Sequence, residues 1–514
     1  APDHSTTNDQ EAGADEPDIV KTDGSRLVAV SGGILRVVGA TTRKVTGTLD
    51  LRSYAGADGA ELLLSGDRVL VLLGGPAAYP VYGPAMGSRA PTGASSTFLL
   101  VDVSAAPRIV STLRVDGSYV DARLIAGRAR VVVDSTPRLF LPTGVAGPDS
   151  ARLGANQSAI RTAPLSAWRP TFQTTVAGVP GAQRSVPCER ISHPARYRGD
   201  ALVTVYTLDP ASTLENPEPV SIAADGATVY ASTTSLYVAS SDGADTELHR
   251  FAVATPARPR YVGSGRVPGR LLNSYSMSEY AGTLRVVATG QSSDATSLYV
   301  LDAATLRRRG EVDGLGVGEQ LHAVRFLGPL AYVVTFRSVD PLFVLDLRDP
   351  DHPHRAGELT LPGYSDYLHP TDEGRLLGVG QDVDAQQRVA GVQVSLFDVS
   401  RPGEPRRLAV LTRRAATSET PIDPHAFLYW PAARTAVVPL TSWTPGESGA
   451  VLVLHVGRDD LRAVGTLRNP GGGADGAGIV RTLVIGRDLW TMSGAGLQVS
   501  DLASLDRRGW IDFA

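Results

Sequence analysis

Three histidines, His322, His369 and His425, each stand near the start of a repeating unit and have acidic or phenolic residues close by. Glu319 accompanies the first, Asp366 and Tyr367 the second, and Asp423 the third. Asp18, Glu61, Tyr119, Asp121 and Glu279 hold comparable places in other units. If the units surround a common axis, side chains at these positions converge on it. Neutral imidazoles among carboxylates can ligate a divalent metal, grip a polar ligand, or exchange protons with a substrate. The same groups can also satisfy one another or hold channel water. A second pattern, Asp382 and Asp384 in GQDVDAQQ, is a fragment of a calcium loop. The twelve-residue spacing and closing Glu of such a loop are missing, so a solvated turn is the simpler reading. The sequence requires no cofactor; structural calcium or another divalent metal is the one that these residues would suit.

The unit that positions these residues recurs along the chain. LYVLDAATLRRRGEVDG from Leu298, LFVLDLRDPDHPHRAGELTL from Leu342 and VSLFDVSRPGEPRRLAVL from Val394 share an apolar strand, an Asp-bearing turn and a second strand. A preceding hairpin, typified by LHAVRFLGPLAYVVTF from Leu321, completes four strands. Period-two strands between Gly, Asp and Pro turns are the all-β pattern, and repeats of this size point to a β-propeller. The expectation is a single propeller of eight or nine four-stranded blades over residues 18–514, after an N-terminal extension of residues 1–17. A long insertion at 136–199 interrupts it, and Trp168 and Phe172 should dock part of that insertion as a flap or lid. Gly74 to Ser96 reads as a second long loop. Trp430, Trp443, Trp490 and Trp510 read as packing between blades; one left exposed could stack on a sugar.

Among 514 residues, 42% are hydrophobic and 20% charged, with net charge −4. No clustered positive stripe offers a nucleic-acid interface. Arginine greatly outnumbers lysine, Lys21 and Lys44 being the only lysines, which suits a genome rich in G and C. The single cysteine, Cys188, excludes an internal disulfide and zinc sites of several thiolates. No apolar run of 18 residues occurs. The start, APDHSTTNDQ, reads as a mature end from which a targeting segment has been removed. There is no nucleophile elbow, GYSDY at Gly363 being the nearest approach, and no H-E-x-x-H, P-loop or dinucleotide fingerprint.

Longer runs carry a family resemblance. STTNDQEAGADEPDIVKTDG from Ser5, NSYSMSEYAGTLRVVATG from Asn273, AVRFLGPLAYVVTFRSVDPLFVLDLRDP from Ala323, LPGYSDYLHP from Leu361, QVSLFDVSRPGEP from Gln393 and HAFLYW from His425 resemble a bacterial and archaeal family of secreted proteins with a C-terminal β-propeller domain. The likeness runs from about Ser5 to the end. It implies an extracellular or envelope-anchored protein and no common activity. The leading expectation is therefore a non-catalytic binding or scaffold protein for a protein or envelope polysaccharide. The alternatives are a glycan hydrolase or lyase with its site at the channel mouth, around His322, His369 and His425, and a metal-binding propeller.

Overall fold

Short Val-, Leu- and Thr-rich runs favour strands, and the Asp-, Gly- and Pro-rich segments between them favour tight turns. The computed structural model describes residues 3–74, 94–139, 142, 149–194, 199, 201–255, 257–290, 295–337, 340–361, 363–371, 374–384, 386, 388–443, 449–470 and 478–513. The second long loop expected from Gly74 lies almost wholly outside them. The described strands form nine antiparallel sheets in chain order, with one short parallel addition in the third. They span 20–50, 61–116, 118–223, 228–268, 277–315, 320–361, 364–414, 416–468 and 479–512, and are called sheets one to nine.

Each sheet has an inner first strand and an outer fourth strand, and its apolar faces are buried against both neighbours. Leu63, Leu70 and Phe98 of sheet two share a core with Val131 and Val133 of sheet three. Leu377 and Leu396 of sheet seven share one with Val438 and Leu454 of sheet eight. The series returns to its start: Leu483, Trp490 and Met492 of sheet nine pack with Val20, Leu27 and Val38 of sheet one.

The recurring Asp has a structural reason. Asp102 and Asp398 end the third strands of sheets two and seven. Asp398 accepts the Ser400 N–H at 3.1 Å and its hydroxyl at 2.6 Å, and pairs with Arg375 at 2.8 Å and Arg406 at 2.6 Å. Asp102 repeats this with Ser104, Arg68 and Arg108. Arg68 and Arg375 each open the second strand of their sheet, so one carboxylate ties the turn to the strand beside it. Close approach between sheets relies on glycine in the outer strand. A Cβ on Gly47 would lie 2.3 Å from Pro107 in the next sheet's turn, and one on Gly310 would lie 2.5 Å from Pro353. The turns thus nest against the preceding sheet.

The insertion leaves sheet three between its second and third strands. A helix, Asp149–Thr162, buries no residue. Thr171–Val176 then pairs antiparallel with Arg108–Asp116, the outer strand of sheet two, and Phe172 enters the core at 5% exposure. Ile191–Ser192 pairs with Val220–Ala223, the outer strand of sheet three. The described part of the insertion therefore covers outer edges. Trp168, the other expected anchor, is half-buried.

Asp398→Ala should lower the urea midpoint by the equivalent of about 1–3 kcal/mol, because a turn N–H and two guanidinium groups lose their acceptor. Asp384→Ala, on an exposed turn, should move it by roughly 0.5 kcal/mol or less. Equal effects would mean that the repeated Asp is not a structural tie.

Candidate functional site

Four inner strands carry a bulge at the same place. Pairing with the second strand skips Val120, His322, Asp366 and Val480 in sheets three, six, seven and nine. A bulge re-aims the unpaired side chain, and in the adjacent sheets six and seven it brings two such side chains together. His322 Nδ1 lies 2.7 Å from Asp366 Oδ1, with side chains 19% and 14% exposed. Gly363, at φ +78°, immediately precedes the inner strand Tyr364–Thr371 of sheet seven, where a Cβ would meet the Gln381 carbonyl at 2.9 Å. The imidazole packs 4.4 Å from the Tyr364 ring, which lies 4.3 Å from Phe336. Burial raises the Asp366 pKa against the pull of His322. Asp366 Oδ2 is buried and makes no hydrogen bond among the described residues.

His369 and His425 lie elsewhere. His369 stands three residues beyond the bulge, at the level that Arg325 holds in sheet six. Its Nδ1 is 3.1 Å from the Tyr367 hydroxyl, and the Phe427 and Tyr429 rings flank it. Burial, reinforced by Arg325, lowers its pKa to about 3. His425 Nε2 lies 2.9 Å from Glu16 Oε2, and Glu16 Oε1 lies 3.2 Å from Arg123. Burial opposes charge on His425, but Glu16, Asp18 and Asp423 outweigh it and raise its pKa to about 9. Burial would also raise Glu16, but Arg123 and His425 hold it at about 2. The three histidines thus belong to three separate arrangements.

Glu16 belongs to a segment that lines the axis. Residues 3–5 run beside the inner strand of sheet nine, where the Ser5 N–H donates to the Val484 carbonyl at 2.8 Å. The Asn8 amide donates to the Tyr367 hydroxyl and the Pro424 carbonyl, both at 2.8 Å. The Gln10 amide reaches the Ser274 and Met277 carbonyls at 3.0 Å, and Glu11 accepts from Tyr230 at 2.8 Å. Ala14–Asp15 pairs with Ile125 and Leu124 of sheet three. Lys21 then binds Thr7 at 2.6 Å and Asp15 at 2.7 Å.

The remaining candidates have partners of their own. Asp18 and Asp423 both pair with Arg481, at 2.5 and 2.7 Å. Glu61 accepts from Tyr119 at 2.9 Å, and burial together with Asp121 raises its pKa to about 7. Asp121 pairs with Arg123 at 2.6 Å. Glu319 accepts from Thr335, and Glu279 from Ser232 and Thr234. Asp384 accepts the N–H groups of Gln386 and Arg388 in its own turn, while Asp382 sits within a strand. Among the described residues, no three or more His, Cys, Asp or Glu side chains are grouped to hold a metal. Trp490 and Trp430 are buried, Trp510 is half-buried and Trp443 is 48% exposed. Cys188 is exposed. Sequence reasoning missed the basic partners Arg123, Arg325 and Arg481 and the anchors Asn8 and Gln10. A clue was the density of polar residues before Asp18.

The model of the β-propeller domain family matches residues 4–505. The chain belongs to that family. Two archaeal relatives share part of this propeller. An uncharacterized protein of Archaeoglobus fulgidus is 42% identical over 183 residues, which cover 36% of this chain and 28% of that protein. One of Methanocaldococcus jannaschii is 39% identical over 173 residues, covering 33% and 27%. The matched part is thus less than a third of either relative. Among solved structures, BamB from Moraxella catarrhalis aligns over 72% of this chain and 79% of its own, with TM-score 0.33 and 14% identity. No helix among the described residues is long and apolar enough to cross a membrane.

The axial charges predict a pH signature for the propeller. A raised histidine pKa stabilises the fold fully below its unfolded value of about 6.5, and that stability is lost as pH rises through the folded value. Stability should therefore fall between about pH 6.5 and 9 as His425 loses its proton. Below that window opposite trends overlap. Asp9, raised to about 7 by burial and Asp15, and Glu61 favour lower pH. His369 and His249, both lowered by burial, favour higher pH. Melting temperatures measured from pH 7 to 9.5 should fall for wild type and flatten for His425→Gln. Parallel curves would remove His425 as the cause.

Proposed function

We propose that the nine sheets are the nine blades of one closed propeller, and that this propeller is an extracytoplasmic, non-catalytic scaffold holding a protein or an envelope polysaccharide. One observation carries the reading. The axis, where a propeller enzyme would assemble groups from separate blades, is lined by the chain's own residues 4–16, and Glu16, His425 and Arg123 pair there with one another. The extracytoplasmic placement rests on the sequence resemblance. Binding then falls to the rim. The end of the molecule bearing the connections between second and third strands, and between successive sheets, exposes Val317 at 72%, Ile422 at 58% and Trp443 at 48%. Cosedimentation with purified cell envelopes tests this. Wild type and His322→Ala should bind equally, while Val317→Asp combined with Trp443→Ala should weaken binding roughly tenfold, as loss of an exposed aromatic anchor does. Loss in His322→Ala alone would move the binding site to the channel mouth.

A second reading, a glycan hydrolase or lyase, has the His322–Asp366 pair in its favour. Asp366, accepting from Nδ1–H, fixes the tautomer in which Nε2 is a base, and Phe336 and Tyr364 supply ring surfaces for stacking. If this pair exchanges protons with substrate, His322→Ala should cost about 10²–10⁴ in turnover of the glycan that is cleaved. Turnover unaffected by His322→Ala would exclude the pair from chemistry.

A further inference from the structure

We propose that residues 4–16 form an inner hoop that closes the propeller ring. Sheets one and nine come from opposite ends of the chain and share no strand. Their seam is held by the shared apolar core, by Arg43 on Asp488 at 2.7 Å and by the Arg36 guanidinium 4.4 Å over Phe513. None of these is a strand-to-strand ladder.

The N-terminal segment supplies what the seam lacks. Ser5 and Val484 exchange two hydrogen bonds, at 2.8 and 2.9 Å, and the Gly486 N–H reaches the Asp3 carbonyl at 2.6 Å. The chain directly preceding sheet one is thereby attached to the inner strand of sheet nine. It then passes in turn to sheets seven and eight through Asn8, to sheet five through Gln10, to sheet four through Glu11 and to sheet three through Ala14–Asp15. Glu16 fastens it between Arg123 of sheet three and His425 of sheet eight, and Lys21 ties sheet one to Thr7 and Asp15. A segment that merely filled space would need no such succession of anchors. Tied to blades all around the axis, the hoop resists their outward displacement, and the seam is where that displacement would begin. This role is independent of what the rim binds.

Hydrogen exchange on the full chain at pH 7 tests it, comparing wild type with Glu16→Ala. Amides of residues 4–16 should exchange roughly tenfold faster or more. The seam strands Arg26–Ser31 and Asp488–Ser493 should speed up with them, while Leu330–Phe336 and Arg375–Val383, at the interface of sheets six and seven, should keep their wild-type rates. Asn8→Ala combined with Gln10→Ala, which leaves every axial charge paired, carries the same expectation if Glu16→Ala does not fold. A loosened hoop beside an unchanged seam would reduce the segment to a filler and overturn the proposal. Unchanged exchange in residues 4–16 of the Asn8/Gln10 variant would overturn it as well.

Discussion

A four-stranded sheet of Val, Leu and Ile has two apolar faces and cannot bury both by itself. Everything else in this molecule follows from that constraint. Each sheet hides its faces against the sheets on either side, so an array with free ends would leave two faces wet. Packing Trp490 of sheet nine with Leu27 of sheet one removes both ends at once. The Asp ties and the glycine–proline contacts serve the same demand: the first keep each sheet in register, and the second let neighbours approach closely enough to exclude water.

Gathering the inner strands around one axis creates a different problem, because their polar residues are removed from solvent together. Isolated charges there would be costly. The N-terminal segment resolves this with side chains of matching type. Glu16 stands between Arg123 and His425, and the Asn8 and Gln10 amides donate to the Pro424 and Ser274 carbonyls, in the short turns that lead into the inner strands of sheets eight and five. The His322–Asp366 pair lies outside this arrangement, with one carboxylate oxygen unpartnered among the described residues.

The repeat was legible because the buried third strand recurs in every sheet and ends in Asp in five of them, at Asp102, Asp302, Asp346, Asp398 and Asp501. LFVLD and VSLFD announce a turn whose N–H the Asp accepts two residues on, at Arg348 after Asp346 and at Ser400 after Asp398. The glycines of RRRGEVD and HRAGELT were in plain view, but their reason lies in a proline of the next sheet, which no local pattern displays. The three histidines suggested one ring because their spacing follows the repeat. Register breaks that equivalence: His322 holds the bulged position, His369 stands three residues beyond its counterpart Asp366, and His425 lies in a short turn before its strand. A bulge leaves no residue code. The sequence marks residues 1–17 only as an extension ahead of the repeats, and tertiary partners alone reveal that residues 4–16 line the inner strands.

The insertion's strands, seen along the outside of the molecule, bear on solubility. Outer strands invite pairing with another chain unless they are blocked. Most here begin with a lysine or arginine: Lys44, Arg108, Arg260, Arg308, Arg406 and Arg507 in six of the nine. Val220–Ala223 of sheet three carries no charge at all, and Ile191–Ser192 lies along it. The insertion therefore covers two outer edges, one that arginine already marks, Arg108–Asp116, and one that no charge protects, Val220–Ala223. A chain shortened there would keep its ring yet expose an apolar edge ready to join a second molecule strand to strand.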